Sequence, residues 1–319
     1  MFEAKKIEKI VVLGTGGTIA GTAASASDHT AYTAGQLGVQ HLLDAVPGLN
    51  DTLQGAALVG EQVAQLDSKD MDHATWQTLV LRCSHWLAQP DVGGIVITHG
   101  TDTLEETAWF LQQVLHTTKP VVLTCAMRPA TALAPDGPQN LLDAMAVVLD
   151  PMARGVLVVC AGRIHSARVV QKVHPYRLDA FSSGDAGPSG WVEQGRVRWS
   201  GPCHAPEPHA HALQALAQAV ADWPWVVVLQ SHAGADTRQV RALVAAGVKG
   251  LVVAGTGNGT VHQNLQNALA DAQAQGVFVR LTTRCAEGQI VGQSAALQTA
   301  PLGLNVYKAR ISLMLDLMK

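Results

Sequence analysis

Seven short apolar runs, separated by longer amphipathic stretches, constrain this chain more than any other feature. They are "KIVVLG", "GGIVITHG", "PVVLTCA", "GVLVVCAG", "PWVVVLQ", "GLVVAGTG" and "GVFVRLT". Most are apolar on both faces, as strands of a parallel sheet must be when helices cover both sides. The stretches between them predict helices over 72–87, 102–116, 139–149, 210–221, 236–245 and 260–275, with a last helix over 306–318. Strand and helix in alternation predict an α/β fold with right-handed crossovers. With 48% apolar residues the chain can fill the core this fold needs.

The alternation breaks at "SGPCHAPEPHAHA", where three prolines and three histidines crowd together. This stretch predicts an interdomain linker at 203–211. It divides a larger N-terminal domain (1–202) with a mostly parallel sheet from a smaller C-terminal parallel-sheet domain (212–319). His204, His209 and His211 match no usual ligand spacing, and no metal site is expected. Residues 22–35, rich in Ala, Ser, Thr and Gly, predict a mobile loop. Residues 289–303 are poorly periodic.

Charge is near balance, −3, which calls for neither nucleic acid nor an anionic membrane. No run of about 18 apolar residues predicts a membrane-spanning helix. The N-terminal apolar run is short and ends in glycines, so it predicts a buried strand, not a signal peptide. Five scattered cysteines without a CxxC pair predict a reduced, cytoplasmic protein.

The first strand runs into "VVLGTGGTIAG". Two phosphate-binding readings fail there. A dinucleotide fingerprint needs glycine at position 19, where Ile19 stands, and a P-loop needs lysine at position 22, where Thr22 stands. The other reading is a strand-end nucleophile. Gly16 and Gly17 permit a sharp turn and close approach, leaving Thr18 at the crevice where open α/β sheets bind ligands. A threonine after two glycines is also an ordinary turn residue. A second strand runs into "THGTDTLEETA". Thr101 and Asp102 stand at that strand-to-helix junction, where either could simply cap the helix, with Glu105 and Glu106 in its first turn.

Three stretches, "TGGTIAG", "THGTDTLEETA" and "AMRPATALAPDGPQNLLDA", resemble the bacterial-type L-asparaginase (asparaginase/glutaminase) family. The resemblance spans nearly the whole chain, to "LNVYKAR", and weakens over 289–303. It implies an amidohydrolase that converts L-asparagine to L-aspartate and ammonia through an acyl-enzyme, with no metal or organic cofactor. Thr18 is then the nucleophile, and Tyr32, in the 22–35 segment, the phenol that takes its proton. Thr101, Asp102 and Lys172 form a relay. Lys172 acts as a base only if burial or a neighbouring charge lowers its pKa; otherwise it is a solvated strand-end lysine. Ser68 contacts the substrate carboxylate and Asp102 the ammonium.

The resemblance also implies that Asn258 completes the site of a neighbouring subunit, within a homotetramer built as a dimer of intimate dimers. Two positions depart from the family pattern. Lys69 stands where a polar uncharged residue is usual; it either reaches the substrate carboxylate or pairs with Asp67 or Asp70 at the surface. The acid that partners the loop tyrosine across the interface has no clear match, and Glu287 is the nearest candidate, with a plain surface glutamate as the alternative. Three other readings stay open: a glutaminase-asparaginase acting on both amides, a Rossmann-type nucleotide enzyme, and a non-catalytic amino-acid-binding protein. Ammonia transfer for tRNA amidation is not expected, because the chain enters its first strand directly.

Overall fold

The computed structural model describes residues 8–28, 30–115, 117–201, 216–292, 297–301 and 304–318. The chain forms two compact units, Met1–Pro208 and His209–Lys319. The stretch 203–211, expected as the linker, lies outside the described residues, as do its three histidines.

In the first unit the strands are β1 (Lys9–Gly16), β2 (Thr22–Ala23), β3 (Tyr32–Thr33), β4 (Ala57–Leu66), β5 (Val92–Thr98), β6 (Val121–Thr124), β7 (Val156–Cys160), β8 (Arg163–Ser166), β9 (Gln171–Lys172), β10 (Phe181–Ser182), β11 (Gly190–Glu193) and β12 (Arg196–Trp199). Eight of them form one sheet in the order β12-β11-β8-β7-β6-β5-β1-β4. The run β7-β6-β5-β1-β4 is parallel; β8, β11 and β12 extend it antiparallel. Every residue of β6 and β7 is buried, as both-face apolarity requires. The helices α1 (Val39–Asp44), α2 (Leu49–Thr52), α3 (His73–Leu87), α4 (Leu104–Val114) and α5 (Gly137–Leu149) lie between strands in the chain. From α5, Leu141, Met145 and Val148 pack with Ile10, Val96 and Val122 of the sheet in one apolar core.

The chain leaves β1, adds β4 on one side of it, and then adds β5 on the other. The strand order therefore reverses between β1 and β5, which is where an open α/β sheet leaves a crevice at its carboxyl end.

The second unit holds a four-stranded sheet, β13 (Val226–Gln230), β14 (Gly250–Gly255), β15 (Phe278–Thr283) and β16 (Gln298–Thr299), parallel throughout. Its helices are α6 (Arg238–Ala245), α7 (Gln263–Ala274) and α8 (Val306–Leu317).

All seven expected strands are present. Two expectations need correction. The helix expected over 102–116 begins at Leu104, and its N-cap is Thr103, with no side-chain capping bond, so neither Thr101 nor Asp102 caps it. Of the helix expected over 210–221, residues 210–215 lie outside the description. The rest is a turn followed by a short 3-10 turn at Val220–Asp222. Pro224 holds Trp223 extended (φ −66°, ψ 137°) and stops helix there. Residues 22–35 contain the β2–β3 ribbon, in which Ala23 pairs with Tyr32.

Candidate active site

Three chain segments meet at the β1/β5 crevice because glycines let their backbones touch. Gly16 (φ +101°) and Gly17 (φ +79°) both occupy left-handed conformations. A Cβ on Gly17 would overlap the Gly100 Cα, and one on Gly100 would overlap the Ser68 Oγ. Both positions therefore exclude any side chain, which brings Thr18, Thr101 and Ser68 to one place. All three are buried.

Thr18 follows β1 at the start of a 3-10 turn, Thr18–Ala20, with Gly17 as its N-cap. Its Oγ1 lies 2.6 Å from the Tyr32 phenol oxygen. Tyr32 is delivered by the β2–β3 ribbon, and that ribbon is tied down from outside. The Ala23 N–H donates to Thr131 Oγ1 (2.8 Å), Ala130 N–H to the Gly21 carbonyl (2.9 Å) and Leu133 N–H to the Ala26 carbonyl (3.0 Å). The tying segment is itself fixed by Asp136, whose carboxylate accepts the Met127 and Arg128 N–H groups, each at 2.9 Å.

Thr101 follows β5. Lys172 Nζ donates to Thr101 Oγ1 (2.8 Å) and to Asp102 Oδ1 (2.6 Å). Lys172 is itself placed by a buried carboxylate: its backbone N–H donates to Glu105 Oε2 at 2.5 Å. Asp102 keeps a half-open carboxylate, its side chain 54% exposed against 17% for Lys172, so one face can meet a ligand. The Asp102 N–H donates to Ser68 Oγ (3.1 Å), leaving the Ser68 hydroxyl proton to be given elsewhere. The arrangement offers two hydroxyls with polar partners, one hydroxyl donor and one open carboxylate.

Lys69 is 61% exposed and its ammonium pairs with Asp67 (2.7 Å) and Asp70 (3.2 Å), which raise its pKa. In the second unit, both polar atoms of the Asn258 amide bond the Val291 backbone: Nδ2 donates to its carbonyl (2.9 Å) and Oδ1 accepts its N–H (2.7 Å). Glu287 is exposed. Glu105, Thr131 and Asp136 were not anticipated as supports. Glu105 and Asp136 carried only local signals, a first-turn acid and a residue entering a helix.

Among the described residues, no group of three or more His, Cys, Asp or Glu side chains could hold a metal ion, and no helix is long and apolar enough to cross a membrane.

Comparison with known proteins agrees with this geometry. The family described as "Asparaginase, N-terminal" matches residues 9–204, and "Glutaminase/Asparaginase C-terminal domain" matches residues 225–319. The chain is 37% identical to L-asparaginase 2 of Bacillus subtilis, over 99% of this chain and 84% of that protein. It is 36% identical to the glutaminase-asparaginase of Pseudomonas fluorescens, over 98% and 87% of the two. A solved structure reported as "Crystal Structure of Probable Cytoplasmic L-asparaginase from Campylobacter jejuni" superposes with a TM-score of 0.89 at 37% identity, covering 98% of this chain and 95% of that one.

Proposed function

Since the chain belongs to the asparaginase family, we propose that it is an amidohydrolase that splits L-asparagine into L-aspartate and ammonia with Thr18 as nucleophile. The observation that carries this reading is the pair of strand-end hydroxyls, Thr18 beside Tyr32 and Thr101 beside Lys172, at the reversal point of the sheet. A threonine hydroxyl is a weak nucleophile until a neighbour accepts its proton. Tyr32, at 2.6 Å, is in reach to do so. Thr18 Oγ1 attacks the side-chain amide carbon, the C–N bond breaks, and the nitrogen leaves as ammonia with the proton it gains. Water then cleaves the ester, returning the hydrogen to Thr18 and the carboxylate to the product. Thr101, polarised by Lys172, faces the same crevice and relays protons during these steps. The Ser68 hydroxyl binds the substrate carboxylate and Asp102 its ammonium.

A glutaminase-asparaginase is the second reading, because the chain is nearly as similar to a relative of that name. The two amides differ by one methylene, worth about 1–3 kcal/mol in a pocket. Ammonia release from each amide at matched concentration, expressed as kcat/KM, tests both. No release from either overturns the proposal.

Assembly is part of the same proposal: two domains, 1–202 and 212–319, linked through 203–211, and a homotetramer of intimate dimers in which Asn258 reaches a neighbour's site. Two-fold pairing would complete both sites of a dimer at once. Sedimentation at assay concentration should show at least a dimer, and a fully active monomer would refute the shared site. Residence in the cytoplasm is proposed too. The Campylobacter jejuni protein is described as cytoplasmic, whereas a Haemophilus influenzae relative is named as periplasmic; cell fractionation decides.

A further inference from the structure

Beneath the crevice lies a row of buried side chains that the proposed chemistry does not use. Trp76 of α3, Thr107 of α4 and His99, just past β5, are 3%, 0% and 0% exposed. Trp76 Nε1 lies 2.9 Å from Thr107 Oγ1, Thr107 Oγ1 lies 2.9 Å from His99 Nε2, and His99 Nδ1 lies 2.7 Å from the Gly100 carbonyl oxygen. Chemistry orients the whole row. A carbonyl only accepts, so Nδ1 carries the proton. Burial lowers the His99 pKa to about 4, so Nε2 is bare at neutral pH and accepts from the Thr107 hydroxyl. The Thr107 oxygen then accepts the indole N–H, which only donates. The row is anchored at its far end, where Trp76 stacks on Phe110 with centroids 4.7 Å apart.

The near end is the peptide that leads into Thr101. Gly100 must lack a side chain for the reason given above, so the residue with the widest backbone freedom stands directly before Thr101. Beside the Gly17 and Ser68 contacts, the His99 imidazole holds that peptide by its bond to the Gly100 carbonyl.

We propose that His99 is a positioning residue whose Nδ1–H, aligned by Thr107 and Trp76, fixes the Gly100 peptide and so aims the Thr101 hydroxyl and the Asp102 amide. The consequence for catalysis rests on the function proposed above, in which Thr101 and Asp102 meet the substrate. Small misplacements in such a site cost up to roughly 100-fold in rate.

The test compares His99→Leu, which removes the donor, with His99→Asn, whose side-chain amide keeps a donor near the Nδ1 position. Thr107→Val and Thr107→Ser form a second pair, in case a histidine variant fails to fold. The readouts are kcat and KM for asparagine, plus hydrogen exchange of the segment 99–103, each in protein of wild-type assembly state. His99→Leu should lower kcat roughly 10–100-fold with little change in KM and speed exchange of 99–103. His99→Asn should restore most of both, and Thr107→Ser should restore what Thr107→Val loses. A folded His99→Leu protein with wild-type kcat and exchange overturns the inference, as does an Asn variant no better than Leu. A wild-type chain inactive on both amides would overturn the proposed function instead; the exchange comparison still decides whether His99 holds the peptide.

Discussion

Thr18 and Tyr32 are separated by 14 positions in the chain, yet their hydroxyl oxygens lie 2.6 Å apart. The partnership depends on the turn after β1 that holds Thr18 and on the β2–β3 ribbon, with the segment that ties it, that brings Tyr32. Tyr32→Phe keeps the ring and removes only the phenol oxygen. It should lower kcat by about 10²–10⁴ while leaving the fold intact, the range typical of losing a general base. Steady-state ammonia release with circular dichroism as the folding control checks this, and a drop of less than about threefold would remove Tyr32 from the proton path.

Lys69 tests the carboxylate subsite. Its ammonium is already engaged by Asp67 and Asp70 on an exposed side chain. Exposed pairs of this kind exchange readily with water. On the proposal that Ser68 meets the substrate carboxylate, and with the Lys69 ammonium already engaged, Lys69→Gln should leave KM for asparagine within about twofold. A KM raised tenfold or more at unchanged kcat would return Lys69 to the substrate.

Asp143 tests the electrostatics of the core. It is 5% exposed on α5, and burial raises its pKa, only partly offset by the Gln139 side-chain amide that donates to it at 2.8 Å. A carboxyl with a raised folded pKa favours folding in its protonated form. That contribution is full below the unfolded pKa of about 3.9 and is lost as pH rises through the folded value. At neutral pH the ionised group opposes folding. Asp143→Asn keeps an acceptor for Gln139 and removes the charge. Its melting temperature should exceed that of the wild type at pH 7, and the gap should close toward pH 4. An Asn variant less stable than the wild type at pH 7 contradicts this.

Much of the fold was legible because the parallel strands are buried on both faces and read as plain apolar runs. β4 was not legible. At the sheet edge its "GEQ" segment is polar for tertiary reasons: Glu61 pairs with Arg82 through two bonds, and Gln62 accepts the Val39 N–H and donates to the Gly14 carbonyl. β8, β11 and β12 are four-residue antiparallel strands with polar positions, too short to show a period. In the candidate site, Thr18 and Thr101 were legible from their glycines, whereas pairing Tyr32 with Thr18 came only through family resemblance. Glu105 was hidden by its local explanation. A glutamate in the first helical turn suits the helix dipole, so nothing in sequence signals that it also holds the backbone of Lys172, 67 positions away.

The most direct measurement is ammonia release from asparagine by Thr18→Ala, with Thr101→Val alongside, in protein shown to be folded and assembled like the wild type. A nucleophile acts in the transition state, so kcat of Thr18→Ala should fall by on the order of 10³ or more, and Thr101→Val should also lose most of its turnover. Wild-type-like turnover in a folded Thr18→Ala protein would contradict the account; if Thr101→Val were then inactive, the nucleophile would be Thr101, activated by Lys172.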